Sequence, residues 1–163
     1  MGKKIVALML IFSAAACSSF GCMENEEEIA QQELVKKYKM LETSSTTDLL
    51  LVERVKEFRT KPYGERSKFE AEQKGKKVQW DVVVRSVEKY TEGIRGATKE
   101  YSLISAKPLV SMDNTFIDII VPKAVAQAFQ PDQRIQCTGF IKYITLGGDG
   151  HVILFPAKIS PGK

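Results

Sequence analysis

The spacing of hydrophobic positions divides the chain into three stretches. Ile5 to Phe12 is an unbroken apolar run of 8 residues. From Met23 to Lys74, apolar residues recur three and four apart among charged ones, a spacing that predicts helices. Beyond Gly75 they recur at every second position, which predicts strands with one face buried.

The helical stretch divides into three elements. Met23 to Leu41 has sparse apolar positions (Ile29, Leu34, Val35, Tyr38, Leu41). It is acidic at its start (Glu24, Glu26, Glu27, Glu28) and basic at its end (Lys36, Lys37, Lys39), an order that complements the helix dipole. Thr43 to Asp48 interrupts the pattern, and its small hydroxylated residues are expected to cap the next helix. That helix carries a stripe of Leu49, Leu50, Leu51, Val52, Val55 and Phe58, with Glu53, Arg54, Lys56, Glu57 and Arg59 elsewhere on the wheel, and ends at Lys61-Pro62-Tyr63-Gly64. A third, Glu65 to Lys74, has Phe69 and Ala71 as its few apolar positions and stops at Gly75. The acid-rich start of the first helix is expected in solvent. The leucine stripe of the second must be covered, and packing on the domain that follows is expected over self-association.

Lys76 to Tyr90 reads as the first strand, with Val78, Trp80, Val82 and Val84 inward and Gln79, Asp81 and Arg85 outward. Thr91 to Lys99 is a loop with Gly93 and Gly96. The second strand runs from Glu100 to about Leu109, and Ser111 to Asn114 turns into a β-branched third strand, Thr115 to Val121. Pro122 to Phe129 is expected to be a short helix with proline in its first turn. The fourth strand, Arg134 to Thr145, sets Ile135, Cys137, Gly139, Ile141 and Tyr143 in one alternating series. Gly147 to Gly150 is a hairpin connection, and His151 to Ile159 is the fifth strand. Trp80 is in phase with the valines and is expected in the core, and Cys137 is expected to be a buried free thiol.

Five strands with one helix between the third and fourth resemble the oligonucleotide/oligosaccharide-binding (OB) fold, a five-stranded Greek-key barrel. The fold class is therefore mainly β with N-terminal helices. More narrowly, three features look like the exported bacterial branch called the tRNA-anticodon-binding-like family. They are Gly75-Lys76-Lys77-Val78 entering the first strand, Pro122 after the third, and the run Gln133 to Ile141. In that branch a turn leads into a strand of the form V-x-V-x-G-x-I. Gly139 fits the glycine position, where it eases a sharp barrel bend, while Cys137 stands where an aliphatic residue is usual. The resemblance covers residues 75 to 160 and implies a binding module.

Composition acts mainly by exclusion. At 163 residues, 44% hydrophobic and 27% charged, the chain suits one modest globular domain. A net charge of +4 is too small to assign a nucleic-acid or membrane partner by itself. One histidine, His151, excludes a site with two imidazoles, and three cysteines cannot form a four-thiolate zinc site. No nucleophile elbow is present, and Gly147 to Gly150 lacks the Lys and Ser or Thr of a phosphate loop. Asp113, Asn114 and Asp118 are too sparse for a calcium loop. The expectation is a non-enzymatic protein with no metal and no cofactor.

The first stretch is an address. Lys3 and Lys4 precede the apolar run, and Ser13 to Ala16 follow it, the layout of a secretory signal. Even extended to Cys17 the run has 13 residues, whereas a spanning helix needs roughly 20. Small residues before Cys17 resemble the lipobox of bacterial lipoproteins, although Ala14 stands where an aliphatic residue is usual. The resemblance implies lipidation of Cys17, with Ser18 after it implying delivery to the outer membrane, body facing the periplasm. Cys22 is a rival anchor. Ordinary cleavage to a soluble periplasmic protein stays open as well. The organisation is then a signal peptide over 1–16, a tether and helical leader over 17–74, and an OB domain over 75–163.

OB barrels bind with the face of strands two and three and the adjacent loops. Those regions supply Tyr90, Arg95, Lys99, Tyr101, Lys107, Phe116, Lys142 and Tyr143, with His151 beside the hairpin as a surface residue. Aromatics interleaved with cations suit single-stranded nucleic acid, and Gly75 to Lys163 holds 12 Lys and Arg against 8 Asp and Glu. An envelope protein, peptide or glycan would use the same surface.

Overall fold

Gly75, at φ 79°, turns the chain out of the helical stretch and into strand β1 (Lys77–Lys89). The computed structural model describes residues 23–47, 50–89, 100–109 and 115–162. Four more strands follow: β2 (Tyr101–Pro108), β3 (Phe116–Pro122), β4 (Arg134–Thr145) and β5 (His151–Pro161). They close into a barrel in the order β1-β2-β3-β5-β4, antiparallel except for the β3–β5 pair. A short helix (Lys123–Ala126) connects β3 to β4, with Pro122 as its N-cap. This is the expected OB topology.

The interior is the alternating set. Val78, Val82, Val84, Ile104, Ile117, Ile119, Ile135, Ile141, Ile144, Val152 and Leu154 are almost wholly buried, and Trp80 lies among them. Cys137 is a buried free thiol, and loss of water around it pushes its pKa up to about 12.

Three longer helices precede the barrel: α1 (Met23–Thr43), α2 (Leu51–Thr60) and α3 (Tyr63–Ala71), which makes the connector α4. From α2 and α3, Leu51, Val55, Phe58 and Phe69 join the barrel core. They close one end: the Phe58 ring lies 3.5 Å from where a Cβ on Gly147 would stand, and Glu70 accepts a hydrogen bond from the Leu146 amide at 2.7 Å. Ala126, with Phe129 packed against the same core, follows β3 toward the other end, where the Lys123 amide donates to the Glu100 carbonyl. Of the leucine stripe, Leu51, Val55 and Phe58 are thus covered by the domain that follows, whereas Leu50 stays exposed and Leu49 lies outside the described residues.

The α2 start departs from expectation. Its N-cap is Leu50, with no side-chain cap bond. The hydroxylated segment before it is held on β1 instead, where the Thr47 amide donates to the Lys77 carbonyl at 2.7 Å and the buried Lys77 ammonium donates to the Ser44 carbonyl at 2.6 Å. Helix α3 begins earlier than expected, with Pro62 as its N-cap.

Helix α1 lies on the outside of the barrel. The β3–β5 ladder runs from Phe116↔His151 to Ile119↔Leu154 and stops, and just beyond it Pro156 has no amide hydrogen to offer. There Leu34 packs onto Ile120 and Phe155, with Tyr38, Tyr101, Leu103 and Ile153 around them. This cluster is separate from the barrel core. Among the described residues no helix is long and apolar enough to cross a membrane.

Candidate binding face

The outward residues of β2, β3 and β5 form one continuous surface. Ser105 pairs with Asp118 and Leu103 with Ile120 across β2–β3, while Phe116 pairs with His151 and Asp118 with Ile153 across β3–β5. Helix α1 divides this surface. Tyr101, Leu103, Ile120, Ile153 and Phe155 belong to the cluster that α1 covers. Lys107, Phe116, Asp118 and His151 lie outside that cluster, toward the other ends of the same strands.

Two β-bulges aim side chains onto the open half. In β1, Val84 pairs with Ala106 and Ser86 with Ser105, leaving Arg85 as the extra residue. Its guanidinium lies 4.6 Å from the Phe116 ring centroid, reaching past β2 to β3. In β4, Ile141 pairs with Leu154 and Tyr143 with Ile153, leaving Lys142 extra. Lys142 and Tyr143 are therefore both exposed, and Ile144 takes the inner position. The sequence series placed Tyr143 in phase with Ile135, Cys137 and Ile141; the bulge moves it to the outer face.

Around Tyr143 the groups interlock. The His151 ring meets it edge-on at 5.8 Å and the Lys74 ammonium lies 5.9 Å from its centroid. His151 Nε2 is 2.7 Å from Asp118 Oδ2. In strand order the Asp118 carboxylate stands between Ser105 and the imidazole. A triad needs the imidazole next to the serine, so this trio is not arranged for hydrolysis. Among the described residues no group of three or more His, Cys, Asp or Glu could hold a metal ion.

Of the residues singled out from sequence, Lys107, Phe116, Lys142, Tyr143 and His151 lie on the open half. Tyr101 does not: its ring is half-buried, edge-on to Phe155 at 5.7 Å, in the cluster beneath α1. Burial raises the Tyr101 pKa, and burial together with the neighbouring Tyr101 phenol raises that of Tyr38 further. Tyr90, Arg95, Lys99 and Cys17 lie outside the described residues. Sequence reasoning missed Arg85, Asp118 and Lys74. The signal for Arg85 is a break in parity, because the inward series 78, 80, 82, 84 resumes at Val87 rather than at an even position.

No protein-family model matches the chain, and no curated protein matches it. Among solved structures it is similar to one described as a "putative nucleic acid-binding lipoprotein" from Klebsiella pneumoniae subsp. pneumoniae. The two are 13% identical, with a TM-score of 0.49 over 71% of this chain and 92% of that one. A likeness this loose carries nothing about function.

Proposed function

We propose that the chain is a non-enzymatic OB-fold recognition module of the bacterial envelope, whose open half-face binds a protein, peptide or glycan partner. The observation that supports this reading is the mixed character of that half-face. A phosphate chain is bound best by an uninterrupted cationic track with free ring faces. Here the Asp118 carboxylate sits amid the cations, Phe116 and Tyr143 already carry Arg85 and Lys74, and Tyr101 lies under α1. Donors and acceptors interleaved with aromatic edges suit a polar partner that offers both.

A second reading, single-stranded nucleic acid, is favoured by Arg85 over the Phe116 ring, with Lys107 exposed on β2 and Lys142 exposed beside Tyr143 in β4. Tyr90, Arg95 and Lys99, which follow Lys89 in the sequence, are proposed to extend either surface. In the same proposal the chain belongs with the tRNA-anticodon-binding-like proteins. Its signal peptide spans 1–16, its leader 17–74 and its barrel domain 75–163. Cys17 carries the lipid that holds it at the outer membrane facing the periplasm, with a soluble periplasmic form as the alternative.

Salt separates the two readings, because phosphate neutralisation weakens steeply as ionic strength rises. The measurement is the affinity of a labelled oligothymidylate and of isolated envelope components (peptidoglycan sacculi and outer-membrane proteins) at low and physiological salt. The expected result is envelope binding that changes little with salt and is lost in Phe116→Ala/Tyr143→Ala, with no oligonucleotide binding. Oligonucleotide binding that salt abolishes, lost in Arg85→Ala/Lys107→Ala/Lys142→Ala, would overturn the primary reading in favour of the second.

A further inference from the structure

The geometry points to a helix-acceptor groove along the seam between β3 and β5, held in cis by α1 and open in trans to an amphipathic helix of a partner protein. The resident helix shows what fits. Leu34, Tyr38 and Leu41 follow an i, i+4, i+7 spacing, and Leu34 and Leu41 are buried. Leu34 seats where the β3–β5 ladder ends, against Ile120 and Phe155, and Tyr38 packs in the same cluster. Glu42, one position past the last anchor, pairs with Lys158 on β5, and that ammonium holds the Glu42 carboxyl below its ordinary pKa. A partner helix would carry the same signature: aliphatic, aromatic and aliphatic anchors at that spacing, then an acid.

Three observations make the resident exchangeable. Its cluster is separate from the barrel core, so its departure leaves that core intact. The Tyr38 hydroxyl is buried, and the nearby Tyr101 phenol does not meet hydrogen-bond geometry, which leaves a polar group better satisfied in water. The C-terminal end of α1 is fixed, because Ser44 and Thr47 are bonded to Lys77, so release is a swing about residues 44–47 and not a loss of the chain path. A ligand that takes the groove gains by displacing α1 only through its own contacts there, which makes α1 a competitor in cis.

This goes beyond the proposed function, whose partner sits on the open half-face, and concerns the other half of the same outer surface. Two measurements on the full chain test it. In hydrogen exchange of the unmodified protein, α1 amides are expected to exchange well before those of α2 and the barrel; exchange of α1 together with the barrel overturns the proposal. In a titration with a labelled peptide of residues 23–43, Leu34→Asp/Leu41→Asp protein is expected to bind at least tenfold more tightly than unmodified protein, and Lys158→Glu added to it to weaken that binding. No binding to a variant whose Trp80 fluorescence shows an intact barrel overturns it, and if the variant does not fold, hydrogen exchange alone decides. Arg85→Ala/Phe116→Ala leaves peptide binding unchanged, so failure of the open half-face and failure of the groove are read separately.

Discussion

The two halves of the β2-β3-β5 outer face are built from the same strands and differ in what stands over them. Under α1 the outward residues are aliphatic and aromatic: Tyr101, Leu103, Ile120, Ile153 and Phe155. Away from it they are Lys107, Phe116, Asp118 and His151, joined by Arg85, Lys142 and Tyr143 through two bulges. A strand alternates by backbone geometry alone, so its inward residues are similar along its whole length. Its outward residues record the neighbour, and they do so residue by residue. Ile120 and Phe155 can be apolar because a helix keeps water from them; Asp118, two positions before Ile120, and His151, four before Phe155, stay partly exposed and can be charged or polar.

The largest test of this contrast compares the barrel interior with the helix seat. Leu154→Ala removes a wholly buried side chain from the core and is expected to cost about 2–5 kcal/mol in denaturant unfolding. Leu34→Ala is expected to loosen α1, seen as faster amide exchange in α1, while the barrel melts near its original temperature. Cooperative loss of the barrel in Leu34→Ala would merge the two regions into one.

Much of this architecture was legible because alternation is set by burial, and burial is written in the sequence. The switch to every-second spacing after Gly75, Pro122 at the entry to α4, and the strand limits of β4 all appear where the structure has them. The bulges also leave a trace: inward positions pass from Val84 to Val87, from Ile141 to Ile144 and from Leu154 to Ala157, each a change of parity. The unbroken Ile119-Ile120-Val121 marks the place where both faces of β3 are covered. What covers it was not legible, since the sparse anchors of α1 fit any apolar surface. Capping of α2 was misread because the helix starts only at Leu51, beyond Ser44 to Thr47, whose backbone is held on β1 by the bonds of Ser44 and Thr47 to Lys77. Asp118 and Lys74 gain meaning only from strand neighbours and a distant helix end, which spacing along the chain does not reveal.

Gly139 sharpens the comparison from inside. A Cβ there would stand 3.0 Å from Ala157 Cβ, 3.1 Å from Leu154 Cβ and 3.2 Å from the Pro156 carbonyl, where β5 bulges. Gly139→Ala is expected to cost about 1–3 kcal/mol by overpacking, read as a lower unfolding midpoint.

Alkali acts on the covered half. Unfolded tyrosine ionises near the ordinary value of 10.0, whereas Tyr38 and Tyr101 hold their protons to higher pH in the fold. Above that value the native state binds more protons than the unfolded one, so stability falls as pH rises, with no dependence on these groups below it. Amide exchange in α1, corrected for its intrinsic pH dependence, is expected to lose protection above pH 10 before the barrel does. Tyr38→Phe is expected to blunt that loss.

The smallest effect belongs to the open half. Arg85→Ala removes a cation from the face of Phe116 at the surface and is expected to change stability by about 0.5–1 kcal/mol, within the range of an exposed cation–π contact. A loss as large as that of Leu154→Ala would mean the half-face is structural.

Hydroxyl-radical footprinting of the native full chain tests most directly whether α1 divides the face. Tyr143, 40% exposed, is expected to oxidise readily, with Tyr63 at 89% as the internal reference, while Tyr38, Tyr101 and Phe155 are protected. Oxidation of Tyr101 and Phe155 at the rate of Tyr143 would show one undivided open surface and contradict the account.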